Sequence, residues 1–183
     1  MVLTLLVITT VSAASLGFMY ELTKEPKAAA ERLKQNFAIK AVLPEFDNNP
    51  SAEAYEIESF DYGEQLICYP AMKNGELAGF AVKTWTMNGF SGLIRLMVGF
   101  DNRGNIINTS ILEHQETPGL GTKMADAEFK NQYVGKNPGT NNISVKKDGG
   151  EIDAITAATI SARAFSDAID RAFKSLEKAG KFE

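Results

Sequence analysis

Asp153-Ala154-Ile155-Thr156-Ala157-Ala158-Thr159 runs straight into an amphipathic helical pattern, and it holds the chemistry most legible in this chain. The spacing predicts a threonine hydroxyl, Thr159, at the N-terminus of a helix beside the small residues Ala157 and Ala158. Amides with no intrahelical acceptor and the positive end of the helix dipole favour a phosphate at such a place. The competing reading is an ordinary threonine-rich helix cap. A second segment, Glu116-Thr117-Pro118-Gly119-Leu120-Gly121-Thr122, joins two glycines to hydroxyl side chains. Glycine has no Cβ, so the backbone donors of such a loop can approach a flat polar ligand closely. By itself the loop reads as a Pro-Gly turn. Lys123 follows it, placed either to neutralise an anion or simply to be solvated.

These residues need a frame to position them. Phe165, Ala168, Ile169, Ala172 and Leu176 recur at three- and four-residue steps, which predicts a helix over Thr159–Ala179 with one buried stripe. Asp167, Asp170, Arg171 and Lys174 are expected to face away from it. Leu66–Tyr69, Leu77–Thr86, Leu93–Phe100 and Ile106–Leu112 read as strands, separated by Asn74-Gly75, Asn88-Gly89 and Asp101-Asn102-Arg103-Gly104. Ile94, Leu96, Val98 and Phe100 alternate with Arg95, Met97 and Gly99, the pattern of a half-buried hairpin. A helix over Ala28–Val42 is expected to begin near Pro26, end before Pro44 and bury Ala30, Leu33, Phe37 and Ala41. Ala125–Gln132 reads as a short helix and Asn137–Gly150 as polar loop. The fold class is α+β, an antiparallel sheet flanked by helices.

The chain has 183 residues and a formal net charge of −4 with no basic stripe, which argues against nucleic acid. Its one cysteine, Cys68, can make no intrachain disulfide, zinc cluster or iron–sulfur site, and reads as a small core residue. His114, the one histidine, has no recognisable triad or metal partners and reads as a strand residue. Met1–Tyr20 holds no Asp, Glu, Lys or Arg, and twenty helical residues span about 30 Å, a bilayer core. Its threonines and serines can bond back onto the helix. A cleaved signal peptide ending at Val11-Ser12-Ala13 is disfavoured, because no basic segment precedes the apolar one. The expected division is 1–22 as transmembrane anchor and 23–183 as one domain. Lys24, Lys27, Arg32 and Lys34 follow the anchor, so local charge counting puts that domain in the cytoplasm.

Three segments in order resemble the FMN-binding domain family: Gly89-Phe90-Ser91-Gly92 with Leu93–Asp101, Leu112–Gly121, and Asp153–Thr159. Within that family the chain is similar to the G subunit of the Rnf complex, a membrane ferredoxin:NAD oxidoreductase that pumps ions. The C subunit of the sodium-pumping NADH:quinone oxidoreductase is similar too. The resemblance implies one FMN, covalently held as a phosphoester on Thr159, with Thr156, Ala157, Ala158, Glu116, Thr117, Gly119, Leu120, Gly121, Lys123, Ser91 and Gly92 around it. It implies no catalytic residue and no metal, and Asp153 as the mark read by a flavin transferase. It further implies a domain outside the bacterial cytoplasmic membrane that passes electrons among other subunits. Ala157 stands where the family has glycine, and alanine adopts a positive φ only at a cost. Trp85 and Phe90 lie where they either stack near the ring or pack in the core. On the residues alone, an FMN module of another respiratory or regulatory system stays open, as does a tethered solute-binding protein.

Overall fold

The computed structural model describes residues 1–61 and 63–182 and divides the chain into two compact units, 1–36 and 37–183. In the first, the apolar residues of Met1–Tyr20 are exposed along helix α1, Val2–Val42, which is long and apolar enough to cross a membrane. Thr9, Thr10 and Ser15 donate their hydroxyls to carbonyls one turn back, which lets polar side chains sit in an apolar helix. No break separates an anchor from a second helix. Pro26 lies inside α1, where it removes one backbone donor while its neighbours are strong helix formers. The predicted stripe is also displaced: Leu33 and Phe37 are exposed, and Ala38, Ile39 and Val42 are buried. Ala38, Ile39 and Val42 pack with Tyr69, Ala81 and Met97 of the sheet, so burial here follows that contact and not the helical period.

The second unit is built on five antiparallel strands in chain order: β1 (Tyr55–Ile57), β2 (Leu66–Lys73), β3 (Glu76–Gly89), β4 (Gly92–Phe100) and β5 (Ile106–His114). Helix α3, Thr159–Lys178, lies across one face; a single turn, α2 (Ala127–Lys130), precedes it. Phe165, Ala168, Ile169, Ala172 and Leu176 are fully buried, as their period requires. Each large side chain among them contributes about 1.5–3 kcal/mol by leaving water. They meet Val82, Leu96, Val98 and Phe100 from the strands. Gly180, at φ 63, ends α3: its amide bonds Glu177 O at 2.9 Å and the Lys181 amide bonds Leu176 O at 3.1 Å.

The hairpin is not half-buried. Met97 is as buried as Leu96, because the end of α1 covers the opposite face with Ala38, Ile39 and Val42. Gly99 permits that contact, since a Cβ there would overlap the Val42 carbonyl. Arg171 departs from expectation as well. It is buried, with its guanidinium 4.5 Å from the centre of the Trp85 ring and 2.6 Å from Asp61. A long side chain with a planar head can be covered in this way where aromatic surface and a carboxylate meet. Cys68 is buried and its thiol is pushed up to about 11 by burial.

Candidate functional site

Thr159 opens α3 immediately after a turn that only a left-handed residue can make. Ala157 has φ 61, and the Ala158 amide bonds back to Ile155 O at 2.9 Å. The first bond inside the helix runs from the Ala162 amide to Ala158 O at 3.1 Å. The N-cap residue, Ala158, makes no side-chain capping bond at this end. The amides of Thr159, Ile160 and Ser161 therefore lie at the positive end of the dipole without an intrahelical acceptor.

The approach to this turn is held from two sides. Gln132 brackets Asp153 through the backbone, accepting from its amide at 2.7 Å and donating to its carbonyl at 3.3 Å. The polar stretch after Asn137 is tied down too. Glu151 receives Lys136 at 2.5 Å and the Asn142 amide at 3.1 Å, and Val145 pairs with Ile152 as a short parallel bridge. Lys136 and Asn141 hold the Glu151 carboxyl below its ordinary range, the Lys136 hydrogen bond having the larger effect.

A cavity of about 330 Å³ opens beside Thr159. Phe90, Glu116, Thr117, Leu120, Gly121, Ala157, Ala158, Ile160 and Ser161 line it with Thr159. The hairpin tip, the glycine loop and the start of α3, remote in sequence, thus meet at one place. Phe90, Leu120 and Ile160 are exposed at its mouth, and Phe90 is 67% exposed, so it is no core residue. Trp85 packs against the core, as one of its two readings had it, with the Arg171 guanidinium over its ring. Glu116 reaches across the cavity wall: Oε1 accepts from the Ser91 amide at 3.0 Å and Oε2 from the Ser161 hydroxyl at 2.5 Å. The Glu116 amide donates to His114 Nδ1 at 3.2 Å, a strand-end role for that histidine.

Not every residue expected here lies on this cavity. Ser91 serves through its backbone, Gly92 makes the hairpin turn at φ 92, and Gly119 shapes the loop at φ 75 without lining the cavity. Thr156, Lys123 and Asp153 line a separate hollow of about 220 Å³ with Asp126, Glu128 and Gln132. Asp153 is exposed and paired with Lys146 at 2.7 Å. The cation beside the threonine is Lys147, whose Nζ donates to Thr159 Oγ1 at 3.3 Å. Nothing in the spacing marked Lys147; a short helical turn at Lys146–Asp148 brings it there. Its neighbour Asp148 takes Arg163, one turn into α3, through two bonds of 2.6 Å. Those bonds hold the Asp148 carboxyl below its ordinary range. Ser161 and Ile160 were also unmarked in the sequence, where they read only as the first turn of the helix.

A small apolar cavity with few convergent polar groups, beside an uncapped helix end, suits a flat heterocycle that carries a phosphate. Residues 89–174 match the model of the FMN-binding domain family. The G subunit of the ion-translocating oxidoreductase complex from Photorhabdus laumondii is 33% identical over 178 residues, covering 92% of this chain and 85% of that protein. The protein of the same name from Haemophilus influenzae is 36% identical over 155 residues, 80% of this chain and 74% of that one. Among solved structures, the C subunit of a Na⁺-translocating NADH-quinone reductase from Parabacteroides distasonis shares the fold. It has a TM-score of 0.51 at 18% identity over 75% of this chain and 77% of that one. The NqrC structure from Shewanella oneidensis is similar, with a TM-score of 0.50 at 15% identity over 76% and 70%.

Proposed function

The chain belongs to the family of G subunits of ion-translocating oxidoreductase complexes, and from that premise we propose that it carries electrons through one FMN held as a phosphoester on Thr159. The observation that most supports this is the position of Thr159. Its hydroxyl stands at an uncapped helix N-terminus, on the wall of an apolar cavity, within reach of the Lys147 ammonium. FMN bound there would supply reversible one- and two-electron chemistry. The amides of residues 159–161 and Lys147 would balance the phosphate charge, while Phe90, Leu120 and Ile160 would shield the ring from water. Attachment through phosphate leaves the ring itself unsubstituted.

Among the described residues, no carboxylate or imidazole is hydrogen-bonded to the Thr159 hydroxyl. Its side-chain partner is a lysine that donates, and an unactivated threonine hydroxyl is a poor nucleophile. Bond formation therefore falls to a separate flavin transferase, with exposed Asp153 as a feature it can read. We place the chain in the bacterial cytoplasmic membrane through Met1–Tyr20, with residues from about 23 onward on the outer side and other subunits as electron donor and acceptor. Made together with a flavin transferase, the chain should give a band that fluoresces under ultraviolet light after denaturing electrophoresis. Thr159→Ala should abolish that band, and Thr159→Ser should retain part of it. Fluorescence that survives in Thr159→Ala, or an intact mass without one FMN, refutes the attachment.

A further inference from the structure

Glu116 is an acid in an unusual place. It is 5% exposed, and it is the one ionisable side chain among the described residues that line the Thr159 cavity. Its two oxygens are met by an amide and a hydroxyl, and neither is a cation. The room for it is built by two glycines. A Cβ on Gly121 would overlap Glu116 Oε2 and come within 2.7 Å of Ser161 Oγ, and one on Gly89 would come within 2.8 Å of Oε1. Hairpin, loop and helix are thus shaped around this carboxylate. Shape alone does not call for a charge, because a glutamine of the same size could accept from Ser91 and meet the Ser161 hydroxyl. Burying a charge without a counter-ion is unfavourable.

We infer that Glu116 holds down the reduction potential of the flavin bound in this cavity, by setting in its wall a buried carboxylate that, among the described residues, is met by an amide and a hydroxyl and not by a cation. The inference rests on the reading of the cavity as the FMN site. An electron that enters the ring without a proton adds one negative charge. A fixed negative charge across a cavity partly closed to water opposes that addition far more than bulk solvent would. Fixed charge close to the ring is one of the levers by which a protein tunes a flavin. Glu116 acts through its field and forms no bond with the cofactor.

The full chain, loaded with FMN and kept in detergent, is titrated electrochemically while its visible spectrum is followed. Covalent loading is first verified by fluorescence of the denatured band. Absence of loading in the wild type would refute the Thr159 attachment, a result separate from any change in potential. Glu116→Gln should raise the ratio of reduced to oxidised flavin at a fixed applied potential about tenfold, or about 59 mV for a one-electron couple. Ser161→Ala keeps the charge and loses one donor, so its shift should be well below that of Glu116→Gln. Leu120→Lys puts an ammonium at the exposed mouth and should also raise the potential, whether or not Glu116→Gln folds. A loaded Glu116→Gln within twofold of wild type overturns the inference. So does an equal shift in Ser161→Ala, or no shift in Leu120→Lys.

Discussion

Replacing Ala157 by glycine should make this protein more stable, although it removes a methyl group. Ala157 sits at φ 61, where the Cβ of an L-residue crowds the following carbonyl, at a cost of about 1–2 kcal/mol. Glycine relieves that crowding but gives the unfolded chain more freedom, which offsets about 0.4–1 kcal/mol of the gain. The residue is exposed, so the lost methyl forfeits little packing. The net expectation is a stabilisation of about 0.5–1 kcal/mol. For a folded unit of this size, that is a rise of about 1–4 °C in Tm. The chain has one tryptophan, Trp85, fixed against Arg171 in the second unit, so its fluorescence reports the melting of that unit. Ala157→Val should move Tm the opposite way by more, since a β-branched residue is a worse occupant of the left-handed region. FMN attachment in Ala157→Gly should be at least as complete as in the wild type, because the turn into Thr159 becomes easier to form. A lower Tm for Ala157→Gly, or no loss in Ala157→Val, would refute the reasoning that a strained left-handed turn positions Thr159.

Two further expectations follow from packing and topology. Gly121→Ala should destabilise by about 1–3 kcal/mol in urea titration and alter the flavin spectrum, because its Cβ collides with Glu116 and Ser161. Gly119→Ala meets no atom within 4 Å and should cost only about 1 kcal/mol for its positive φ, leaving the spectrum near that of wild type. Equal effects of the two changes would mean that the cavity wall is not where Gly121 places it. Protease added to intact spheroplasts should remove the large unit and leave a short membrane-embedded stub. Complete protection until the membrane is opened would put that unit inside and refute the outward orientation.

Much of this architecture was legible in the residues because it depends on local rules. The period of Phe165, Ile169, Ala172 and Leu176 allows one buried face in any fold, and all four are buried. The turn dipeptide Asn74-Gly75 predicts positive φ and both residues adopt it, whereas at Asn88-Gly89 the strand β3 runs through to Gly89 and the positive φ falls on Gly92. The three family-like segments were equally visible, since each is a continuous run of residues. Strand ends and the three-residue β1 were less legible, because pairing with a neighbour, and not composition, decides where a ladder stops.

The rest required the chain to fold back on itself. Met97 is buried only because the end of α1 covers the second face of the sheet, and Arg171 only because Trp85 and Asp61 come to it from other segments. Lys123 follows the glycine loop in sequence yet faces another hollow, whereas Lys147, with no mark in the sequence, reaches Thr159. The sequence by itself determined that a threonine would start a helix beside small residues, since amide donors and dipole belong to the helix alone. Tertiary structure decided which cation meets that hydroxyl and that Glu116 stands in the wall of the same cavity. Those contacts join residues 12 and 45 positions apart, and no local propensity encodes such distances.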